Sequence, residues 1–319
     1  MGVKIMAQIT KRDIVSTNIK RNKTSLRTRI YQYRYFYLMF FPVFLAFFVF
    51  NYIPMVGIAI AFFDWGLFGI NGFVGLDNFA TLFQSTAFLR AFGNTIYISL
   101  INLALSMICS VGLALLIDEV RGMNFKKLTQ TIIYIPHFLS WVVVASVFAM
   151  ILSPQDGMVN KVIEFFGGNP TYFLADTNWW TPIFLFIERW KGTGWGTIIF
   201  IAALSGVDPS MHEAATIDGA TRLQRVLYVT LPAIKNTILV VFVLELAKVL
   251  NLFESVWVLQ NAMVLDKADT IQTYVYRIGV EGSDYGLSAA AGLFRSVLSV
   301  ILVLGTNKLS KKVTGEGII

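Results

Sequence analysis

Asp208-Pro209-Ser210-Met211-His212-Glu213-Ala214-Ala215-Thr216-Ile217-Asp218-Gly219, continuing through Ala220 to Tyr228 and closing on Val229-Thr230-Leu231-Pro232, is a polar stretch with apolar segments close on both sides. It reads as two short helices around a turn. Asp208 offers a side-chain oxygen to the free N–H groups of the first helix, and Pro209 suits its first position, where no N–H is needed. Gly219 stands where a left-handed residue ends that helix. Thr221 and Gln224 have capping-box spacing for the second helix, and Pro232 marks the next boundary. Ala214 and Ala215 are small enough for another protein's surface to approach the backbone. A plain connector between two helices would carry the same caps, so local chemistry alone leaves both readings open.

The flanks say where this bracket sits. The sequence has 319 residues, 56% hydrophobic and 14% charged, with a mean hydropathy of +0.65. A soluble domain is about half apolar and about a quarter charged, so the excess belongs in lipid. A hydrocarbon core about 30 Å thick takes about 20 apolar residues as a helix. Six segments qualify, some with polar interruptions: 35–63, 88–117, 130–153, 180–205, 236–258 and 287–307. Lipid cannot satisfy an open sheet edge, so each is expected to be helical, with Pro42, Pro54, Pro136 and Pro182 starting or kinking spans. The expectation is an all-α integral membrane protein with six transmembrane helices and both termini on one side.

Charge selects the side. The N-terminal arm, residues 1–33, carries Lys4, Lys11, Arg12, Lys20, Arg21, Lys23, Arg27 and Arg29. The other proposed inside regions hold Arg34, then Arg121, Lys126 and Lys127, then Arg222, Arg225 and Lys235, then Lys308, Lys311 and Lys312. The proposed outside loops hold only Arg90, Lys161, Lys267 and Arg277. The positive-inside rule therefore places both termini and the loop 206–235 in the cytoplasm. The domain reading is an arm 1–33, a membrane domain 34–312 containing that loop, and a tail 313–319. The arm and the net charge of +7 are read as attraction to anionic headgroups. No recognisable nucleic-acid domain surrounds the arm. The first apolar run is too long for a cleavable signal, so no cleavage is expected.

Other chemistries find little support. A single cysteine, Cys109, excludes an intrachain disulfide or a cysteine cluster, and two histidines, His137 and His212, make a His-rich metal site unlikely to be encoded. No phosphate-binding GxxxxGK[ST] string is present, so ATP chemistry would have to come from another chain. The outer loops, Asp64 to Phe79 and 154–179 with Asn160, Tyr172, Trp179 and Trp180, are rich in turns and aromatics. They read as an interfacial belt, as a docking surface, or both.

Charges inside apolar spans cost about 2.5–3.5 kcal/mol each at mid-bilayer on insertion scales, so they face protein or water. Glu188, Arg189 and Lys191 lie in the fourth span and Arg295 in the sixth. At 100° per residue, Glu245, Lys248, Asn251 and Ser255 share one side of the fifth, with Glu254 on its flank. Glu245 and Lys248 have the spacing of a structural ion pair. Asn251 and Glu254 are the candidates for a wet path, with Trp257 and Trp190 as aromatic faces for a sugar; Trp195 is a further such face. Each tryptophan alone is equally an anchor or a packing residue. Paired carboxylates also occur in hydrolases, but here they sit among basic residues with no nucleophile motif. Ser288-Ala289-Ala290-Ala291-Gly292 is a small-residue face for close helix packing.

Glu213-Ala214-Ala215, three residues, Gly219, nine residues and Val229-x-Leu231-Pro232 resembles the EAA loop of permease subunits in binding-protein-dependent ABC importers. Val229 replaces the usual isoleucine. The likeness extends to Ile135-Pro136-His137-Phe138-Leu139-Ser140-Trp141, Gly157-Met158-Val159-Asn160, Trp190-Lys191-Gly192-Thr193-Gly194-Trp195 and Tyr285-Gly286 through Phe294, as in oligo- and polysaccharide-type permeases of the carbohydrate-uptake family. Arg295 departs from the uncharged polar residue expected there. The resemblance implies a non-enzymatic permease subunit in the cytoplasmic membrane of a prokaryote, moving an oligosaccharide or polysaccharide fragment. It implies as partners a second homologous permease, an ATPase dimer that binds ATP and Mg, and an extracytoplasmic solute-binding protein, with no cofactor in this chain. It also implies that Glu213, Ala214, Ala215, Asp218, Gly219, Leu231 and Pro232 couple to the ATPase. The alternative is a stand-alone channel or ion-coupled transporter, which has no use for such a loop.

Overall fold

The structure is a computed structural model that describes residues 26–120 and 122–314. Most of the basic arm, Arg121 and the last five residues of the tail lie outside the described residues. The chain divides into two compact units, Met1–Val56 and Gly57–Ile319.

The described part of the first unit is helical, with α1 (Leu26–Gln32) and α2 (Arg34–Phe47) followed by a wide π turn, Phe48–Tyr52. The second unit holds a β-hairpin, β1 (Phe63–Gly66) and β2 (Gly69–Phe73), paired antiparallel with a register shift at Asp64/Trp65. There follow α3 (Asp77–Gln84), α4 (Thr86–Asp118), α5 (Met123–Tyr134), α6 (Trp141–Ile151), α7 (Met158–Phe165), α8 (Trp180–Ser205) and α9 (Pro209–Ile217). After these come α10 (Arg222–Lys248, helical throughout), α11 (Glu254–Leu259), α12 (Ile271–Tyr276) and α13 (Tyr285–Thr314). The described residues are thus predominantly helical, in keeping with the expected all-α membrane fold, with one short hairpin added to it. Asn78 holds the hairpin's base by donating to the carbonyls of Ala61 and Phe63 at 3.0 and 2.9 Å.

Among the described residues, four helices are long and apolar enough to cross a membrane: Arg34–Phe62, Thr86–Asp118, Arg222–Lys248 and Tyr285–Lys308. A fifth candidate, Met123–Phe138 with Trp141–Ile151, is bent by 101°. The third expected segment is therefore not one rod. Pro136 lacks an N–H and Leu139 and Ser140 are extended, while the Ser140 hydroxyl caps α6 by accepting from the Val143 N–H at 3.3 Å.

The fifth expected segment also changes shape. Helix α10 ends at Lys248, so 236–258 is not continuous. The freed carbonyls find distant partners: Ser99 Oγ donates to Val249 O at 2.6 Å, and Thr270 Oγ1 to Leu252 O at 2.9 Å. Irregular backbone at membrane depth survives only when other protein groups satisfy it in this way.

Pro232, expected to mark a boundary, lies inside α10. The π turn Val226–Thr230 precedes it and carries the helix through. A proline cannot donate to the carbonyl four residues back and clashes with it, and a widened turn relieves both faults. The same arrangement recurs at Phe48–Tyr52 before Pro54.

The core forms where α8 lies along α4. Trp180, Phe184 and Ile187 pack with Ile98, Val144 and Val256, and Phe200 and Leu204 pack with Ala114 and Ile234. The Trp180 indole N–H donates to Leu259 O at 3.0 Å. Ala290 and Ala291 of the small-residue face are fully buried. Asn160 is buried too: its amide donates to the carbonyls of Leu152, Ser153 and Thr171, and its oxygen accepts from the Thr171 N–H at 2.8 Å. It ties a loop together, and so does not belong to an exposed docking surface. Tyr172 and Trp179 remain exposed.

Candidate functional site

Two places gather the residues singled out above. The first is the loop from Asp208. The Asp208 carboxylate accepts from the Ser210 N–H at 2.9 Å and caps α9. That hydrogen bond holds its pKa below the usual carboxylate range. At the other end Ala220 N–H reaches Ala215 O at 2.9 Å and Gly219 N–H reaches Thr216 O at 3.1 Å. This is a Schellman closure, and Gly219 takes the positive φ of 78° that it requires. Thr221 and Gln224 form the expected reciprocal capping box.

One further bond fixes the angle between α9 and α10: Arg225 Nη1 donates to Thr216 Oγ1 at 2.9 Å. Glu213, Ala214 and Asp218 are exposed and Ala215 half-buried. Around them Ile217, Leu223 and Tyr228 are 87%, 67% and 76% exposed, a large apolar share for a polar loop. Such an exposed patch marks a contact surface. The second helix is not short. It continues through Leu231 and Pro232 to Lys248, 27 residues in all from Arg222, about 40 Å at helical rise.

The second place is a polar cavity of about 320 Å³ at the far end of α10. Its wall takes Ser99, Asn102 and Ser106 from α4, Trp141 from the start of α6, Glu188 and Arg189 from α8, and Glu245 and Lys248 from α10. Asn251 and Glu254, from the broken stretch and the start of α11, complete it. Glu188 lies 3.8 Å from Arg189. Glu245 and Lys248 share α10, but among the described residues they form no ion pair with each other; both line the cavity instead. The Asn102 side-chain oxygen is buried and has no hydrogen-bond partner among the described residues. A group so placed in a polar cavity wall is open to water or a ligand.

The structure brings Asn251 and Glu254 to this cavity but not the expected tryptophans. Trp257 stacks on Phe253 at 5.8 Å and meets Tyr276 at 4.6 Å, behind the wall. Trp190 meets Phe148 edge-on at 5.3 Å and lines a separate, apolar hollow of about 670 Å³ with Ile108, Leu116 and Ile132. Trp195 lies flat on His137 at 4.5 Å. The aromatic face in the cavity is Trp141. Lys191 holds it from behind, donating to His137 O at 2.8 Å while its ammonium lies 5.3 Å from the Trp141 ring centre. Sequence reasoning missed Trp141 and the α4 residues. Ser99, Asn102 and Ser106 carried a readable signal, being spaced three and four apart on an otherwise apolar helix. Nothing local pointed to Trp141, which faces the cavity because of the bend.

Comparison with known proteins agrees with these features. Residues 107–315 match the family described as binding-protein-dependent transport system inner membrane component. The polygalacturonan/rhamnogalacturonan transport system permease protein YteP of Bacillus subtilis is 42% identical over 303 residues, 94% of each chain. Protein LplB of the same organism is 40% identical over 289 residues, 89% of this chain and 91% of that one. Among solved structures, a chain of a bacterial ABC transporter involved in the import of the acidic polysaccharide alginate superposes with a TM-score of 0.85 at 37% identity, covering 91% of this chain and 99% of its own. A chain from that type of transporter in complex with an alginate pentasaccharide-bound periplasmic protein gives the same score and identity.

Proposed function

The chain belongs to the binding-protein-dependent transport system inner membrane components, and on that premise we propose that it is a transmembrane subunit of an ATP-driven importer of oligosaccharides or polysaccharide fragments. One observation carries the coupling: the capped loop at Glu213 is locked by the Arg225–Thr216 bond to a single helix whose other end reaches the cavity through Glu245 and Lys248. A push on the loop is thus a displacement of the cavity wall. A channel or ion-coupled transporter has no need of such a lever.

In this reading six segments cross the membrane. They are the four apolar helices, the bent α5–α6 pair, and α8, which has 26 residues. The charges of α8 do not oppose its crossing, because Glu188 and Arg189 line the cavity and Lys191 holds the α5–α6 bend. Both termini and the loop lie in the cytoplasm, in the cytoplasmic membrane of a prokaryote. A second homologous permease completes the path, an ATPase dimer binds ATP and Mg below, and an extracytoplasmic binding protein delivers the sugar above. The alginate relative in complex with its sugar-bound periplasmic protein supports that last partner.

The topology is tested by single cysteines introduced in a Cys109→Ala background. Cysteines in 206–235 and 122–129 are expected to resist an impermeant thiol reagent applied to intact cells, and those in 66–76 to react. Labelling of 206–235 from outside inverts the map and removes the lever.

The path is tested in proteoliposomes that hold the whole complex. Wild-type uptake is expected to require both ATP and the binding protein. Asn251→Ala and Glu254→Ala are expected to lower sugar uptake several-fold in complexes that assemble normally. Uptake at wild-type rates in both variants means that these residues do not line the path.

A further inference from the structure

Arg295 is half-buried on α13. Its guanidinium donates to the Asn251 side-chain oxygen, on the wall of the polar cavity. The ion pairs among the described residues are Arg90–Asp266, Lys126–Asp118, Arg189–Glu188 and Arg277–Asp269. Arg295 is in none of them. A guanidinium carries five N–H donors in a fork that matches the two oxygens of a carboxylate. Here one amide oxygen occupies part of that fork and orients the rest. A permanent charge in a membrane-spanning helix is placed against water, protein or cargo, and hydrogen bonding to neutral sugar hydroxyls needs no formal charge. Lys248, which lines that cavity, is likewise in none of these ion pairs.

We propose that Arg295, oriented by Asn251, forms a carboxylate-binding subsite, so that the cargo is an acidic oligosaccharide carrying uronate groups. The proposal rests on the carbohydrate-importer reading and narrows it. The similarity to a polygalacturonan permease and to an alginate importer is in keeping with it, since both of those polymers bear carboxylates. The paired Glu188 and Arg189 cancel locally. A cargo carboxylate held by Arg295 is a charge-assisted, bidentate contact, the kind that discriminates most sharply against a neutral analogue.

The test uses the complete complex in proteoliposomes with two probes of one skeleton, a short oligogalacturonide and its methyl ester. The measured quantity is the ratio of acid to ester uptake. All variants share one binding protein, so a change in the ratio reports on this chain. Wild type is expected to favour the acid. Arg295→Gln is expected to cut the ratio about tenfold, the effect of losing one charge-assisted contact, and Arg295→Lys to retain part of it. Asn251→Asp, which gives Arg295 an internal counter-charge, is expected to lower the ratio as well. An unchanged ratio in Arg295→Gln and Asn251→Asp overturns the proposal. So does loss of assembly in Arg295→Gln together with an unchanged ratio in Asn251→Asp, since the counter-charge then belongs to a neighbouring subunit. Wild-type uptake of the ester as fast as the acid also overturns it and leaves the carbohydrate reading intact. Absence of ATP-driven uptake of any carbohydrate removes both.

Discussion

Glu213→Lys is expected to reach the membrane at wild-type levels and to lose at least tenfold in sugar moved per ATP hydrolysed. Glu213 is exposed and its side chain makes no hydrogen bond or ion pair among the described residues, so its replacement removes no such contact from the fold. Substitutions at such positions typically change stability by about 0.5 kcal/mol or less. What changes is the surface that the proposed coupling would offer to an ATPase, from one negative charge to one positive, beside the exposed side chains of Ile217 and Tyr228. Like charge opposed across a contact costs several kcal/mol and weakens encounter as well. Gly219→Val reaches the same end through the backbone. No atom lies within 4 Å of the position where its Cβ would sit, so there is no clash; the cost is the positive φ of 78°, about 1 kcal/mol or more for a residue with a Cβ. That is enough to open the Schellman closure and change the angle between α9 and α10. Gly219→Asp is expected to be milder, because aspartate tolerates the left-handed region better. Uptake per ATP measured in the reconstituted complex decides the matter: wild-type coupling in both Glu213→Lys and Gly219→Val is incompatible with the lever.

The largest loss of stability is expected at Gly194. A Cβ there would stand 2.2 Å from the Ile133 carbonyl oxygen and 2.8 Å from its carbon. Both are backbone atoms of α5, so no rotamer change relieves the contact and the two helices must separate. Overpacking of this kind costs about 1–3 kcal/mol. The hydrophobic effect does not draw helices together in lipid, so close packing carries more of the load there. Gly194→Ala is therefore expected to lower the melting temperature and the membrane level of the assembled complex. Gly194→Val is expected to reduce both further. Gly192 is the internal control: it lies two residues away on the same helix, and a Cβ there meets nothing within 4 Å. Gly192→Ala is expected to be neutral. Equal melting temperatures for Gly192→Ala and Gly194→Ala would show that the α5–α8 contact is not limiting.

What the sequence determined by itself is whatever depends on neighbours along the chain. The apolar segments were legible because membrane affinity is a sum over about 20 consecutive residues. The loop was legible in detail because caps are local chemistry: Asp208 reaches two residues on, Thr221 and Gln224 answer each other across three, and Gly219 needs only its own φ. The polar side chains of Asn251 and Glu254 also stood out, since polar groups in an apolar run are conspicuous.

Tertiary structure alone decided the rest. The break after Lys248 exists because Ser99, 150 positions away, takes up the Val249 carbonyl and Thr270 takes up that of Leu252. A window of hydropathy cannot see either group, so it reads a straight helix through 236–258. Pro232 reads as a stop until a π turn, which has no sequence signature of its own, carries the helix past it. Trp190 and Trp257 look as suitable for a sugar as Trp141, but a side chain's cavity is chosen by the bend and rotation of its helix. The 101° turn at Leu139 and Ser140 aims Trp141 inward, and packing of α8 on α4 turns Trp190 away. Arg295 showed as an anomaly in the sequence; only the fold places it beside Asn251, because that contact joins α13 to the broken stretch after α10, 44 residues away in the chain.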